Sequence, residues 1–275
     1  MRVSVLGGDK RMLYCAKAFE KDGYDITLSG FDRLQSDCGI RITDPYSAVI
    51  TADIIVLPLF PLAGEYLNMP FSKEKVRFES FERLAGERTV FCGMSDMLPK
   101  NTLDLFDYSK REDYLIRNAY LTAEGAVYCA MTESFHSLKG AKILILGYGR
   151  IAKLLSEILL ALHADVTVAA RKASDRAWIG ERGMKATDFS FKEYYEYDVI
   201  FNTVPALVLD QNALDHISDN ALIIDLASKS GGVDYAYAKE RGILALHMLS
   251  LPAKYAPETA GEIIEETIMN ILEEA

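Results

Sequence analysis

The sequence has few of the residues that mark a metal centre, a disulfide framework or a nucleic-acid surface. Its four cysteines lie far apart and form no Cys-x-x-Cys pair, so neither a disulfide framework nor a zinc site is expected. Its four histidines show no metal-ligand spacing, so we expect no metal. Positive charge is also scarce. With a formal net charge of -10, a nucleic-acid-binding surface has no electrostatic support.

Long apolar runs are missing as well. No segment is long and apolar enough to span a membrane, and the N-terminal residues enter a short strand instead of forming a signal peptide. We therefore expect a cytoplasmic protein with no membrane partner. Hydrophobic residues make up 50% of the chain and charged residues 25%, a composition that can bury real cores and argues against disorder.

The first half alternates between apolar strand patterns and helical patterns. The pattern predicts strands and helices, in chain order, at Val3–Leu6, Arg11–Lys21, Asp25–Leu28, Asp53–Leu59, Ser72–Leu84 and Thr89–Cys92. Strands this uniformly apolar are covered on both faces, which is typical of a parallel sheet between helices. We predict a doubly wound, flavodoxin- or Rossmann-like substrate domain over residues 1–120.

The second half repeats this α/β alternation. A connecting helix is predicted over 121–136, starting near Thr122, and a second domain over 137–254. A final amphipathic helix within 255–275 has no strand of its own to cover, so we expect it to pack on the first domain. The predicted fold class is therefore α/β with two doubly wound domains, the second a Rossmann dinucleotide-binding domain.

The strongest motif follows the apolar strand Lys142–Leu146. The residues Gly147-Tyr148-Gly149-Arg150-Ile151-Ala152 form G-x-G-x-x-A at the start of a predicted helix. Gly147 permits a tight turn, Gly149 lets a pyrophosphate approach the backbone, and Ala152 lets helix and strand pack closely. The start of the helix then offers N–H groups to the phosphates. The alternative is a purely structural turn between strand and helix.

The end of the next strand indicates which cofactor binds. Enzymes that use NAD usually carry a carboxylate about 20 residues after the glycine motif, where it binds the ribose 2′-hydroxyl. This chain has Arg171, Lys172 and Ser174 there instead. Arg171 suits stacking on adenine, and all three residues suit a 2′-phosphate, so we predict NADP. The alternative is a solvated basic turn that precedes a helix.

Two later strands end in polar segments, where ligands lie in doubly wound sheets. The first segment is Asn202-Thr203-Val204-Pro205, and the second begins Asp225-Leu226-Ala227 and continues Ser228-Lys229-Ser230-Gly231-Gly232. The residues 202–205 and 225–227 are predicted to contact the cofactor. For Asn202 and Asp225, helix capping or turn formation is the alternative.

A third polar segment surrounds Thr122 and Glu124. Thr122 suits the N-cap of the connecting helix and Glu124 its first turn, where a negative charge is favourable. In the functional alternative, Glu124 lies at the hinge between the domains and acts as a general base facing the nicotinamide. The sequence leaves both interpretations open.

These motifs together resemble the dipicolinate synthase A-subunit family. The matching segments keep their order and similar spacing along the whole chain: Val5–Asp9, Gly30–Asp32, Thr122–Gly125, Leu146–Arg150, Ala170-Arg171, Asn202–Pro205, Asp225–Ser228, Gly231-Gly232 with Asp234, Leu251-Pro252, Ala256-Pro257 and Thr259–Gly261. Each motif is modest alone, and together they are specific.

The resemblance implies oxidation of a dihydrodipicolinate from the lysine pathway to dipicolinate, with NADP+ as acceptor. It implies a flavoprotein-like partner, the B-subunit of the same synthase, and a role in the cytoplasm of the mother cell during sporulation. We also expect a homo-oligomer. In this reaction Glu124 would remove a ring proton, and Ser228, Lys229 and Ser95 would donate to the substrate carboxylates near Thr122.

Two other functions remain compatible with the motifs. One is an NAD(P)-dependent dehydrogenase of a different 2-oxo or 2-amino acid, because a fold does not determine the reaction. The other is a non-catalytic protein that senses a nucleotide and controls a partner.

Overall fold

The computed structural model describes residues 1–34, 39–134, 136–190, 194–228 and 231–274. The chain divides into two compact units. Unit 1 contains Met1–Asn118 and Pro252–Ala275, and unit 2 contains Ala119–Leu251. No helix in the described part of the chain combines the length and the apolar character needed to cross a membrane.

Unit 1 is built on a parallel sheet of apolar strands. Its strands are β1 (Arg2–Leu6), β2 (Asp25–Ser29), β3 (Ile54–Val56), β4 (Leu62–Ala63), β5 (Tyr66–Leu67), β6 (Thr89–Cys92) and β7 (Asp104–Asp107). β4 and β5 form a small antiparallel hairpin, and the other five strands run parallel in the order β2-β1-β3-β6-β7. This is the flavodoxin-like order of a doubly wound sheet.

Four helices accompany these strands along the chain. They are α1 (Lys10–Lys21), α2 (Pro45–Thr51), α3 (Phe78–Ala85) and α4 (Glu112–Glu133), which continues into unit 2. Asp44 caps α2 through a bond from Ser47 N, 2.9 Å long, and proline occupies the first turn of that helix. The core of the unit is apolar on both faces of the sheet, with Val5, Leu28, Ile55 and Phe91 fully buried.

Unit 2 has the other common doubly wound topology. Its strands are β8 (Lys142–Leu146), β9 (Asp165–Ala169), β10 (Lys185–Thr187), β11 (Val199–Asn202), β12 (Leu222–Asp225) and β13 (Leu244–His247). They are parallel in the order β10-β9-β8-β11-β12-β13, the Rossmann order, which reverses direction between β8 and β11. The prediction of two doubly wound α/β domains, the second of Rossmann type, is confirmed.

The helices of unit 2 pack on both faces of this sheet. They are α5 (Arg150–Ala161), α6 (Ala173–Glu181), α7 (Gln211–Leu214) and α8 (Tyr235–Arg241). Ala152, Leu155 and Leu159 of α5 are fully buried in one core cluster, and Leu214 and Ala238 of the later helices lie in the cluster on the other face. Small and branched apolar residues at helical spacing therefore bring α5 close to β8.

The start of the connecting helix was predicted wrongly. α4 begins at Glu112, so Thr122 lies inside the helix and is not its N-cap, and Glu124 is not in the first turn. Glu112 and Asp113 occupy the first turn, where the positive end of the helix dipole favours acidic side chains. The apolar pattern starts with the buried Tyr114, well before the polar segment around Thr122.

The predicted helix at Ser72–Leu84 begins later than expected. Val76 O accepts a 2.9 Å bond from Leu67 N, and Arg77 forms an isolated bridge with Tyr66, so this stretch extends the hairpin before α3 begins at Phe78. Strand β7, the hairpin and the short helices α2 and α7 were not predicted. Each of these elements is too short to produce a clear hydrophobic periodicity in the sequence.

Two helices end the chain, α9 (Leu251–Tyr255) and α10 (Pro257–Glu274). α10 belongs to unit 1 and crosses α1 at Gly261, where an added Cβ would lie 2.5 Å from Arg11 O and 2.6 Å from Cys15 N. The apolar side of α10 is buried, with Ile264 and Ile268 fully inaccessible. The absence of a side chain at Gly261 thus allows the two helix backbones to touch.

A buried carboxyl group lies on the same helix. Glu265 is 3% exposed, and its Oε1 has no hydrogen-bond partner among the described residues. Burial raises the pKa of Glu265 from 4.5 to about 7, and the charges of Asp22, Glu266 and Glu262 contribute to the increase. The folded protein therefore retains a proton that the unfolded chain has already released near neutral pH.

This proton makes the stability of unit 1 depend on pH. Because the folded pKa of Glu265 is above the unfolded value, the free energy of unfolding should fall as pH rises from about 4.5 to about 7, by on the order of 2–3 kcal/mol. Urea unfolding at pH 5 and pH 8 measures this decrease. In Glu265→Gln, the free energy of unfolding should fall less between the two pH values than in the unaltered protein. Glu273→Gln, an exposed change on α10, is the control. Equal pH dependence in both variants would contradict the assignment.

Candidate functional site

The turn after β8 is held in a conformation that requires glycine. Gly147 has a φ of 98°, and its N–H donates to Ala169 O over 2.9 Å. Thr203 approaches from β11 and donates to Leu146 O through both its hydroxyl, at 2.8 Å, and its backbone N–H, at 3.0 Å. A Cβ on Gly147 would lie 2.6 Å from Thr203 Oγ1. Position 147 therefore requires glycine both for its backbone conformation and for the lack of space beside it.

The start of α5 is uncapped and open. Gly149 is the N-cap residue and supplies no side chain to the helix, and no atom lies within 4 Å of the position that its Cβ would occupy. Lys153 N donates to Gly149 O at 3.0 Å, which leaves the N–H groups of Ile151 and Ala152 without helical acceptors. The Ala152 side chain is fully buried against the core, and Ile151 packs beside it. This helix end can receive an anion.

The equivalent turn after β1 in unit 1 is closed. Gly7 and Gly8 also have positive φ, but an added Cβ would meet Met69 and Asn68 at the first glycine and Pro58 at the second. Asp9 caps α1 by accepting from Arg11 N at 3.0 Å. Its carboxylate also accepts two bonds from the Arg11 guanidinium, at 2.9 and 2.7 Å. A negative charge already occupies this helix end, so it offers no second phosphate site.

Tyr148, between the two glycines of the open turn, is held by cationic side chains. Lys153 Nζ lies 5.3 Å from the centre of its ring, and Arg182 Nη1 donates to its hydroxyl at 3.2 Å. The neighbouring Arg150 is exposed. Positive charge therefore surrounds the turn, which favours an anionic ligand.

The basic turn after β9 is fixed from inside by an arginine that the sequence analysis missed. Arg176 Nη1 donates to Ala170 O and to Arg171 O, both at 2.8 Å. Arg171, Lys172 and Ser174 are exposed, and Lys172 is the N-cap of α6 without a side-chain capping bond. A second uncapped helix end therefore lies within the basic turn, although Asp175 in the first turn adds one carboxylate.

A hollow of about 280 Å³ lies beside this turn in unit 2. Its lining includes Arg171, Phe189, Val204, Leu207 and Asp210. Arg171 therefore shares one concave surface with the segment that follows β11. The combination of an aromatic ring, aliphatic side chains and a guanidinium is suited to a planar heterocyclic base.

The polar residues at the ends of β11 and β12 form one buried network. Asp225 is 0% exposed and accepts four bonds. Its Oδ1 accepts from Asn202 Nδ2 at 2.9 Å and from Ala227 N at 3.0 Å. Its Oδ2 accepts from Gly232 N and from the Tyr235 hydroxyl, both at 2.6 Å. The carboxylate joins the two polar segments to α8.

This network corrects the predicted direct contacts of Asn202 and Asp225 with a cofactor. Both side chains are fully inaccessible. The Asn202 amide is also saturated, since Nδ2 donates to Val204 O at 3.1 Å and Oδ1 accepts from Val204 N at 3.0 Å. The turn-forming alternative is the one that the structure supports for both residues. They position the segments that a ligand would touch.

Other predicted residues of these segments differ in their accessibility. Leu226 and Ala227 are buried, so their side chains belong to the core and do not reach a ligand. Val204 is half-buried, whereas Pro205 and Ser228 are exposed. The predicted Lys229 lies outside the described residues.

Tyr235 and His247 complete the packing around Asp225. Burial raises the pKa of the Tyr235 hydroxyl, and its hydrogen bond to the Asp225 carboxylate raises it further. The ring of His247 lies 5.8 Å from that of Tyr235, and its Nε2 is 2.9 Å from Ala227 O. His247 is thus a structural histidine. No sequence motif pointed to Tyr235, because its link to Asp225 depends on the path of the intervening loop.

The remaining predicted residues lie on other elements. Glu124 is exposed on α4 in unit 2, while its neighbours Ala123 and Ala126 are fully buried in the core, and Thr122 is half-buried. An exposed carboxylate on a well-packed helix is available to a ligand. Its predicted role as a base stays a prediction.

Ser95 lies in a strained turn at the end of β6 in unit 1. Met94 before it has a left-handed backbone, with φ 44° and ψ 49°, stabilised by a bond from its N–H to Ser109 Oγ at 2.9 Å. Ser95 N donates to Asp107 Oδ2 at 2.8 Å, and Lys110 Nζ donates to Ser95 Oγ at 3.1 Å. Strain of this kind is common at functional sites. No sequence motif indicated Lys110, which lies fifteen residues further along the chain.

Within the described ranges, no three His, Cys, Asp or Glu side chains are arranged so that they could hold a metal ion. The cysteines at positions 15, 92 and 129 are buried and form no disulfide with one another. Burial, with a smaller effect of Asp107, raises the pKa of Cys92 to about 12, so this thiol is unreactive at neutral pH.

Comparison with known proteins agrees with this geometry. A family profile that describes the N-terminal domain of the dipicolinate synthase A-subunit matches residues 2–105. The dipicolinate synthase A-subunit of Bacillus subtilis (strain 168) is 31% identical over 290 residues, covering 100% of this chain and 96% of that protein.

Two solved structures extend the comparison. The crystal structure of the dipicolinate synthase A-subunit from Bacillus halodurans has a TM-score of 0.86 and 32% identity, covering 98% of this chain and 97% of that one. A transhydrogenase from Sinorhizobium meliloti, at 16% identity, shares the fold with a TM-score of 0.73 over 99% of this chain and 92% of that one. The identity over the full length of the chain shows that this protein belongs to the dipicolinate synthase A-subunit family.

Proposed function

We propose that this protein is an NADP-dependent dehydrogenase that oxidises dihydrodipicolinate to dipicolinate. The observation that carries the proposal is the open, uncapped start of α5 at Gly149, with a second uncapped helix end and a basic turn at the end of the adjacent strand β9. Membership of the family supports this reaction, and the two helix ends support a dinucleotide that carries an additional phosphate.

The residues present fit the cofactor. The pyrophosphate would be held by Gly147, Gly149 and the first N–H groups of α5. Arg171, Lys172 and Ser174 would hold the 2′-phosphate, and the adenine would occupy the hollow beside Arg171. The nicotinamide half would then lie over the ends of β11 and β12, on the other side of the point where strand order reverses.

Oxidation of the substrate ring removes a hydride and a proton. Bound NADP+ would accept the hydride. We propose that Glu124 accepts the ring proton, because its carboxylate is exposed and an exposed carboxylate can act as a general base. Ser228 is exposed at the end of β12 and is available to donate to a substrate carboxylate, whereas Ser95, Thr122 and Lys229 remain predicted contacts.

The reaction itself gives the direct test. Dihydrodipicolinate, generated in place by the preceding lysine-pathway enzyme, should be converted to a product with the ultraviolet absorbance of an aromatic pyridine, and NADPH should form in equal amount. Omission of NADP+ is the control. Formation of NADPH from other 2-oxo or 2-amino acids, with no aromatic product, would favour a different dehydrogenase.

The basic turn should determine the choice between the two coenzymes. Arg171→Glu places a carboxylate where the 2′-phosphate is proposed to bind, and should weaken NADP+ binding by about 100-fold, since one charge-assisted bond becomes a repulsion. NAD+ should lose far less, because it shares only the adenine contact with Arg171. Calorimetric titration measures both dissociation constants. The matched change Asp175→Asn removes a negative charge from the same helix end and should strengthen NADP+ binding. Equal effects of Arg171→Glu on both coenzymes would argue against a 2′-phosphate site.

Glu124 should affect turnover and not cofactor binding. Glu124→Gln keeps the size of the side chain but cannot accept a proton, so kcat should fall by roughly 100-fold or more, the usual contribution of a general base. The dissociation constant of NADP+ should remain unchanged. Glu133→Gln, at the end of the same helix, is the control. A parallel loss of turnover and of cofactor affinity would indicate a structural role.

We also propose that the protein works with a flavoprotein-like second subunit in the mother cell, as the family resemblance implies, and that it self-associates. Co-purification of the two proteins, followed by size-exclusion chromatography with light scattering, tests both associations. A monomer that elutes without the second subunit, and that forms dipicolinate at its full rate alone, would contradict them.

A further inference from the structure

A fully buried carboxylate lies at the end of the sheet over which the nicotinamide is proposed to bind. Asp225 is 0% exposed, and it forms no ion pair with any residue in the described ranges. All its bonds come from neutral groups at the ends of β11 and β12 and at the start of α8. Buried carboxylates are usually paired with a cation, so the unpaired charge calls for an explanation.

The hydrogen bonds identify this group as an ionised carboxylate. Three of its four partners are N–H groups, from Asn202, Ala227 and Gly232, and these can only donate. Both oxygens accept from at least one such donor. The ionised form accepts all four bonds, whereas a proton on Oδ1 would displace at least one N–H donor and a proton on Oδ2 would have to reverse the bond with the Tyr235 hydroxyl. The carboxylate is therefore the form that this arrangement binds.

The position of Asp225 in the sheet is near the proposed site of the nicotinamide half of the cofactor. β12 pairs with β11, which pairs with β8, and the Asp225 side chain lies at the carboxyl end of β12. The basic turn lies on the other side of β8, at the end of β9. If the adenosine half lies on the β9 side, the nicotinamide half must lie over β11 and β12, above the buried charge.

We propose that Asp225 determines which redox form of the cofactor binds more tightly. Its negative charge favours the oxidised nicotinamide ring, which is positively charged, over the reduced ring, which is neutral. This inference rests on the proposed NADP-dependent function. It gives a physical reason for the carboxylate, because an enzyme that delivers hydride to NADP+ benefits when the reduced product binds less tightly.

The expected size of the effect follows from the charge and its surroundings. A buried negative charge close to a positively charged ring, in a protein with an effective dielectric constant of about 20, is expected to change the ratio of the two binding constants on the order of tenfold. The hydrogen-bond donors around Asp225 also hold the carboxylate in one position, and Gly231 and Gly232 lie close to it because they have no side chains. A Cβ on Gly231 would lie 2.6 Å from Asp225 Oδ2.

Calorimetric titration of the full-length protein with NADP+ and with NADPH provides the test. In Asp225→Asn the ratio of the NADPH to the NADP+ dissociation constant should fall by roughly tenfold, through weaker binding of NADP+. Tyr235→Phe is the matched control, because it removes one hydrogen bond from the same carboxylate and keeps the charge. That variant should leave the ratio unchanged. If Asp225→Asn does not fold, Asp225→Ser, which leaves room for a water molecule, carries the same expectation.

The outcomes separate this inference from the proposed function. If the unaltered protein binds both forms and removal of the Asp225 charge leaves their ratio unchanged, the electrostatic role is wrong while the dehydrogenase proposal stands. An equal shift of the ratio in Tyr235→Phe would assign the effect to loop geometry and also overturn it. If the unaltered protein binds neither form, both proposals fail.

Discussion

The contact between Thr203 and the turn at Gly147 is the constraint on which the candidate site depends. Thr203 binds Leu146 O with two hydrogen bonds, and its hydroxyl takes the space that any side chain at position 147 would need. The chain must therefore turn sharply at the end of β8, and α5 starts with exposed N–H groups. The open helix end at which we propose that phosphate binds is a consequence of how β11 packs against β8.

The two units show how a small chemical difference separates a ligand site from a structural turn. Both begin with a glycine turn between an apolar strand and a helix. In unit 1, Asp9 caps the helix and pairs with the buried Arg11, and the glycines are covered by Pro58 and Met69. In unit 2, Gly149 supplies neither a cap nor a charge. Of these two turns, an anion can therefore approach only the second, although both units are doubly wound.

Much of the fold could be predicted from the sequence because its signals are local. The strands β6 and β8 begin and end at the predicted residues, since each is a run of mostly apolar residues followed by glycine. The start of α4 could not be predicted in the same way. The Thr122–Gly125 segment resembles a helix start, but packing continues the helix back to Glu112, and such tertiary contacts outweigh local capping preferences.

The sequence by itself determined the α/β class, the position of the dinucleotide turn, the basic residues after β9 and the family. Each of these is carried by neighbouring residues whose spacing has a direct chemical meaning. Only the tertiary structure decided that Asn202 and Asp225 are buried, that Arg176 holds the basic turn, and that Tyr235 and Gly232 bind the same carboxylate. Those bonds join residues up to 23 positions apart, and the sheet order brings them together. A polar residue at the end of a strand can reach a ligand or tie two loops together, and the path of the backbone around it determines which of the two it does.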